Sequence, residues 1–201
     1  GLVETAIESL NRMTHRGAIA ADGKSGDGCG LLMKQPKGFM QAIAAEQGFT
    51  LAENHAVGMI FLNQDSDKAS KARESLESNL TAQGLEVLGW REVPVDAANA
   101  CGEHALTIQP QIEQIFVNAA ADMDEAHLER ALFIARRQTE KTIEPEDETF
   151  YVPSLSARVI SYKGLVMPEF LPVFYKDLED ERFESALCVY HQRFATNTLP
   201  Q

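Results

Sequence analysis

The residues best suited to do chemistry stand near the end of the chain, in Tyr190-His191-Gln192-Arg193-Phe194-Ala195-Thr196-Asn197-Thr198. An apolar, alternating run leads into this stretch. It then delivers a guanidinium, two hydroxyls and an amide in close succession. An arginine presents a planar fork of donors that grips a carboxylate through two parallel hydrogen bonds. Hydroxyls and an amide beside it can hold the other polar end of a small ligand. The chemistry implied is capture of an α-carboxylate such as that of an amino acid. Residue types alone do not separate this from an arginine paired with a structural acid at a strand end.

The second candidate is the glycine-rich run Ala21-Asp22-Gly23-Lys24-Ser25-Gly26-Asp27-Gly28-Cys29-Gly30. A phosphate-binding loop requires G-x-x-x-x-G-K-[ST]. Gly23-Lys24-Ser25 supplies its end, but Gly17 lies one residue too far upstream, and the pattern before the loop is helical. Gly26, Gly28 and Gly30 miss the dinucleotide fingerprint, whose third glycine falls one position later. The run reads instead as a tight connection in which glycine permits unusual dihedrals or close backbone approach. Cys101-Gly102-Glu103-His104 resembles half a metal site, with no second cluster to complete it. His191 fits a structural histidine better than a catalytic base. Arg130, Arg136, Arg137 and Lys141 read as a solvated helix face.

Stepping outward from these residues, the elements that must position them follow from periodicity. Residues 2–14 place Val3, Ala6, Ile7, Leu10 and Met13 on one helical face, closed by the basic turn His15-Arg16-Gly17. Residues 31–34 predict a strand, 39–47 a short helix and 56–62 a compact apolar strand. A helix capped at Ser66 runs to about Gln83 and stops at Gly84. Residues 85–94 predict a strand carrying Trp90, 95–102 a loop, 105–108 a short extended piece and 111–118 an alternating strand. A helix capped by Asp122 or Asp124 ends near Thr142. Residues 57–142 thus read strand, helix, strand, strand, helix, a small α/β layer expected as an insertion. The acidic, Pro145-bearing 144–149 reads as a linker. Residues 155–161 alternate, Tyr162-Lys163-Gly164 looks like a turn, and 165–167 could continue as a strand. Residues 183–188 lead into the strand that ends at Arg193.

Composition bounds the function. The chain has 201 residues, 44% hydrophobic and 24% charged, an ordinary globular balance. Its net charge of −12 repels phosphate backbones and argues against nucleic acid as a partner. Cys29, Cys101 and Cys188 are too sparse for a disulfide framework and fit a reducing compartment. No apolar run reaches a membrane span. Residues 1–47 hold no continuous apolar core of the signal-peptide kind, so a cytoplasmic location is expected. The start at Gly1 and the end at Pro200-Gln201 lead us to expect a piece of a longer polypeptide.

Residues 191–198 resemble the arginine motif of the class II glutamine amidotransferases, in the form found in the large subunit of glutamate synthases. Two further stretches agree. Leu10-Asn11-Arg12-Met13-Thr14-His15-Arg16-Gly17-Ala18, with the glycine-rich run after it, is similar to that family's helix and loop. Ser154-Leu155-Ser156, Tyr162-Lys163-Gly164 and Phe174-Tyr175-Lys176-Asp177-Leu178 are similar to the segment preceding its arginine motif. Three motifs in the family's order, spread over nearly all of residues 1–201, are far more specific than any one.

The resemblance implies an α+β fold of the N-terminal nucleophile hydrolase type, a four-layer αββα sandwich. It would be incomplete here and would carry the inserted α/β layer. It implies a glutaminase domain whose released ammonia converts 2-oxoglutarate to glutamate. Arg193 would hold the glutamine α-carboxylate, and Phe194, Thr196 and Asn197 would line the pocket. His15, Arg16 and Gly17 match a loop near the nucleophile. The family's nucleophile is an N-terminal cysteine whose own amine is the general base. Gly1 is not that residue, and Cys29, Cys101 and Cys188 match no nucleophile position. The Asn-Gly pair of the oxyanion hole would fall after Gln201. The expectation is therefore no catalytic residue in this chain and no activity of the chain alone. No cofactor site is recognisable, so FMN and an iron–sulfur cluster would bind in later domains. The expected partners are glutamine, the remaining domains of the large subunit and a small reductase subunit, with nicotinamide or ferredoxin as electron donor. The alternative is a non-catalytic amidotransferase-like module that binds an amino acid or a partner protein.

Overall fold

A computed structural model describes residues 1–13 and 28–192. In chain order the elements are α1 (Leu2–Asn11), β1 (Cys29–Lys34), α2 (Lys37–Glu46), β2 (His55–Leu62), α3 (Ser66–Ala82), β3 (Glu86–Glu92), α4 (Ala97–Ala100) and α5 (Glu103–Thr107). There follow β4 (Gln111–Asn118), α6 (Glu125–Ile143), β5 (Tyr151–Ser156), β6 (Val159–Gly164), α7 (Leu171–Phe174) and β7 (Cys188–Gln192). The fold is mixed α+β with two separate sheets. The chain divides into two compact units, one of Gly1–Lys34, Pro94–Gln109 and Ser161–Gln201, the other of Gln35–Val93 and Pro110–Ile160. Of residues 57–142, the 94–109 portion belongs to the first unit and the rest to the second.

The second unit is built on the sheet β3-β4-β2-β5. β4 pairs antiparallel with both β2 and β3, so β2 and β3 run parallel, and α3 crosses between them. α6 crosses in the same way from β4 to β5. This is a split β-α-β arrangement. α3 and α6 pack against each other. Their inward residues Ala69, Ala72, Leu76, Leu80, Leu128, Leu132 and Ala135 form one cluster with Ile60, Ile115, Val117 and Val152 of the sheet. The alternation of β4 does not divide a wet face from a dry one. Ile112, Gln114 and Phe116 are buried as well as Ile115 and Val117; the Phe49 ring lies 5.7 Å from that of Phe116, and Gln114 accepts from Arg91 Nη1 at 2.8 Å. A strand covered on both sides reads as a continuous buried run. Gly89, φ 149°, sits at a bulge of β3 where a side chain would enter the Phe49 ring.

Short acidic side chains cap the N-termini of α3, α4 and α6. Asp65, not Ser66, caps α3, accepting from the amides of Asp67 and Lys68 at 3.0 Å each. Asp124 caps α6 through His127 N at 2.8 Å. The structure corrects several further local expectations: Tyr162-Lys163-Gly164 is the end of the strand β6 and not a turn, and α1 stops at Asn11 short of Met13. Residues 105–108 lie mostly in the helix α5, and α4 interrupts the 95–102 loop, capped by Asp96. Residues 165–167 are not a strand but lead into a 3-10 turn at Pro168–Phe170. In the turn at residues 144–149, Asp147 is buried and accepts from Asn63 Nδ2 at 2.8 Å and from Thr149 N at 3.0 Å.

The first unit holds the sheet β6-β1-β7, with β1 central and antiparallel to β7. α1 packs against β7, burying Val3, Ala6, Ile7 and Leu10. Cys29, Leu31 and Met33 alternate inward from β1. They share the interior with Tyr162, Leu171, Phe174, Tyr175 and Phe183. Three edge-to-face ring contacts, with centroids 4.7 to 5.5 Å apart, tie these aromatics together.

Candidate functional site

All the residues assigned from the sequence to substrate, namely Arg193, Phe194, Thr196 and Asn197, lie outside the described residues. So do His15, Arg16, Gly17 and Lys24. What the structure shows is the frame from which these segments depart. β7 ends at Gln192, the residue before Arg193, and β1 begins at Cys29, in the last two residues of the glycine-rich run. The register pairs Cys29 with Gln192 and Gly30 with His191. The exit of the glycine-rich run and the entry to the arginine stretch are therefore neighbours across one ladder. The 160 or so residues between them in sequence gave no sign of this pairing.

Gly30 explains one part of the glycine-rich pattern. A Cβ built there would lie 2.6 Å from His191 Cε1 and 2.6 Å from Lys163 Cβ. The imidazole thus packs flat on the bare Cα, and Lys163 closes the other side. Burial, and then the charge of Lys163, push the His191 pKa below the ordinary imidazole range. At neutral pH the ring is uncharged. Gly30→Ala should force β1 and β7 apart and destabilise the protein by about 1–3 kcal/mol, the usual range for overpacking. Thermal unfolding would measure this, and a melting temperature equal to wild type would refute the close packing.

Two stretches that the sequence singled out separately turn out to clasp each other. Tyr162 donates its hydroxyl to Asp177 Oδ2 at 2.8 Å, and Tyr175 donates its own to the Lys163 carbonyl at 2.8 Å. Tyr162, Tyr175 and Asp177 are all buried. Burial drives the Tyr175 phenol far up, keeping it a hydrogen-bond donor throughout the accessible pH range. Sequence reasoning noted these residues as motif members and missed their bonds, since no spacing rule pairs side chains in two irregular segments.

The cysteines are in protonated settings. Cys29 is fully buried, donates to the Val166 carbonyl at 3.4 Å, and has its pKa pushed up to about 12 by burial. Burial also raises Cys101 and Cys188. A thiol must become thiolate to act as nucleophile or metal ligand, so these settings disfavour both roles. Among the described residues no group of three His, Cys, Asp or Glu side chains could hold a metal ion. Among them, too, no helix is long and apolar enough to cross a membrane. A groove of about 730 Å³ lies along α1 and residues 178–185, floored by Val3, Ile7 and Phe183. Its rim carries Glu4, Glu8, Glu181 and Glu184, the wrong sign for a carboxylate ligand.

Comparison with known proteins supplies what the described residues do not. The profile of the family described as glutamine amidotransferases class-II matches residues 1–201. The large chain of the NADPH glutamate synthase of Azospirillum brasilense is 43% identical over 202 residues, covering 99% of this chain and 13% of that protein. Ferredoxin-dependent glutamate synthase 1 of Arabidopsis thaliana is 40% identical over 205 residues, covering 100% of this chain and 13% of the relative. The NADPH glutamate synthase large chain of Bacillus subtilis is 37% identical, with 99% and 13% covered. The chain thus spans about an eighth of the length of these relatives.

Proposed function

Since the chain belongs to the class II glutamine amidotransferases, we propose that it forms part of the glutaminase domain of a glutamate synthase large chain. The domain hydrolyses glutamine to glutamate, and the ammonia released serves the reductive conversion of 2-oxoglutarate to glutamate in nitrogen assimilation. The observation that carries this is the family match over residues 1–201 together with the three relatives above, each a glutamate synthase by name. In this reading the fold is the four-layer αββα sandwich of N-terminal nucleophile hydrolases. Arg193 grips the glutamine α-carboxylate, Phe194, Thr196 and Asn197 line the pocket, and His15, Arg16 and Gly17 form a loop beside the reacting amide. The pairing of Cys29 with Gln192 supports it, since it joins the roots of the two stretches involved. FMN and an iron–sulfur cluster belong to other domains of the parent protein, and a small reductase subunit is its partner. The proposed location is the cytoplasm.

The nucleophile is an N-terminal cysteine acting with its own α-amine. A polypeptide of residues 1–201 begins with Gly1 and has no cysteine with a free amine. It should release no ammonia from glutamine, whereas the full-length protein should turn over. Ammonia release measured on both decides the matter. Comparable rates from the two would overturn the assignment of the nucleophile. Glutamine binding without turnover by the full-length protein would favour a non-catalytic amidotransferase-like module.

A further inference from the structure

We propose that the buried Tyr162–Asp177 hydrogen bond is a positioning device that sets the height of the strand leading into Arg193, and so the affinity for glutamine. The proposal rests on the reading of Arg193 as the carboxylate clamp. Asp177 is 3% exposed, and its partner Tyr162 stacks edge-to-face on Tyr175 and Phe183. Burying a carboxylate opposes folding unless it is well partnered, and apolar contacts of the same volume would stabilise the core as well or better. What the carboxylate adds is direction. Ring packing tolerates sliding, whereas a hydroxyl–carboxylate bond of 2.8 Å fixes one position along the strand.

The bond does not act alone. Among the described residues β6 stands at the edge of its sheet. The carbonyl of the next residue, Lys163, accepts from the Tyr175 hydroxyl at 2.8 Å. Residues 162–163 and 175–177 therefore exchange two hydrogen bonds, one buried and one part-buried. Residues 175–176 are in turn held by the Val95–Tyr175 bridge and by Lys176 N on the Pro94 carbonyl at 3.1 Å. β6 is thus pinned from its outer edge, and the pinning is passed inward. Lys163 Cβ lies against Gly30, and Gly30 lies against the His191 ring. No side chain at Gly30 cushions this row, so a shift of β6 is felt at His191. His191 stands two residues before Arg193. A clamp holding both carboxylate oxygens needs placement within about half an ångström.

The test uses the full-length protein. Tyr162→Phe removes only the hydroxyl, and Asp177→Asn removes only the charge. Each should raise KM for glutamine about threefold to tenfold, a displacement well below the 1 Å that costs about a hundredfold. The kcat for ammonia release should stay within about twofold, since neither residue touches the amide. Thr139→Val in the other unit loses a buried hydroxyl bonded to Asn79 at 2.9 Å, and should lower the melting temperature without changing KM. Hydrogen exchange at the amides of residues 188–192 should quicken in Tyr162→Phe and not in Thr139→Val. On an Arg193→Ala background Tyr162→Phe should add nothing to KM. An unchanged KM in both Tyr162→Phe and Asp177→Asn, an equal rise in Thr139→Val, or additivity with Arg193→Ala would overturn the proposal. An unchanged KM in Arg193→Ala itself would remove the clamp reading and this proposal with it. Should one variant fail to fold, the other decides.

Discussion

Leu132→Ala should destabilise the protein by about 2–5 kcal/mol, the range for removing a buried leucine and leaving a cavity. Leu132 is fully buried at the centre of α6, where α3, α6 and the sheet β3-β4-β2-β5 converge. Its neighbours there, Leu76, Leu128, Ala135 and Ile115, belong to four different stretches of chain or turns of helix and cannot all move in to fill the space. The next residue is the control. Phe133 is 62% exposed on the same helix, and Phe133→Ala should change stability by no more than about 0.5 kcal/mol. The two variants differ by one position and by 100° around the helix, so propensity effects nearly cancel between them. Urea denaturation of both would measure the difference. Equal midpoints would mean that α6 does not bury the face it is assigned.

That face was legible in the sequence because it needed only local arithmetic. Leu128, Ala131, Leu132 and Ala135 recur at helical spacing after an acidic cap, and the structure buries that set. The same holds for α3 and for Val3, Ala6, Ile7 and Leu10 of α1, but not for Met13, which lies beyond the end of α1 at Asn11. What local arithmetic could not supply is which strands pair. β4 looked like a strand with two unlike faces, yet polar Gln114 is fully buried, its amide oxygen accepting from Arg91 at 2.8 Å. The β1–β7 ladder joins residues near both ends of the chain, and the cost of closing such a loop leaves no mark on composition. The 105–108 error has a similar source. Five residues are too few for a helical period to declare itself, so an apolar run was read as extended.

The candidate site residues were singled out by type and order, and Arg193, Phe194, Thr196 and Asn197 lie outside the described residues. Arg193 could be singled out because a guanidinium followed by hydroxyls and an amide is an unusual concentration of ligand-holding groups after an apolar strand. The bonds between Tyr162 and Asp177 and between Tyr175 and Lys163 could not, because tyrosines and acids are common in any core boundary. The sequence therefore pointed to a candidate carboxylate-binding stretch and was silent on the strands before it. The structure describes those strands and the helix packed on them, α1, β1, β6 and β7.

Arg193→Ala in the full-length protein should weaken glutamine binding by about 1.5–3 kcal/mol, the range for a lost hydrogen bond to a charged group. That corresponds to a KM raised about tenfold to 150-fold. The α-carboxylate does not change its charge while the side-chain amide is cleaved, so the contact is as strong in the ground state as in the transition state. Such uniform binding energy appears in KM and leaves kcat nearly unchanged. Arg193→Lys separates charge from geometry. A lysine keeps the positive charge but replaces the fork by a single ammonium, and should recover only part of the loss. The ligand offers a further control, because glutamine amide-capped at its α-carboxyl group has no carboxylate to lose. Its already weak binding should be almost the same in wild type and in Arg193→Ala. Steady-state ammonia release at varied glutamine concentration measures all three comparisons. A fall in kcat at constant KM would move Arg193 from holding the substrate to the reacting end of the site.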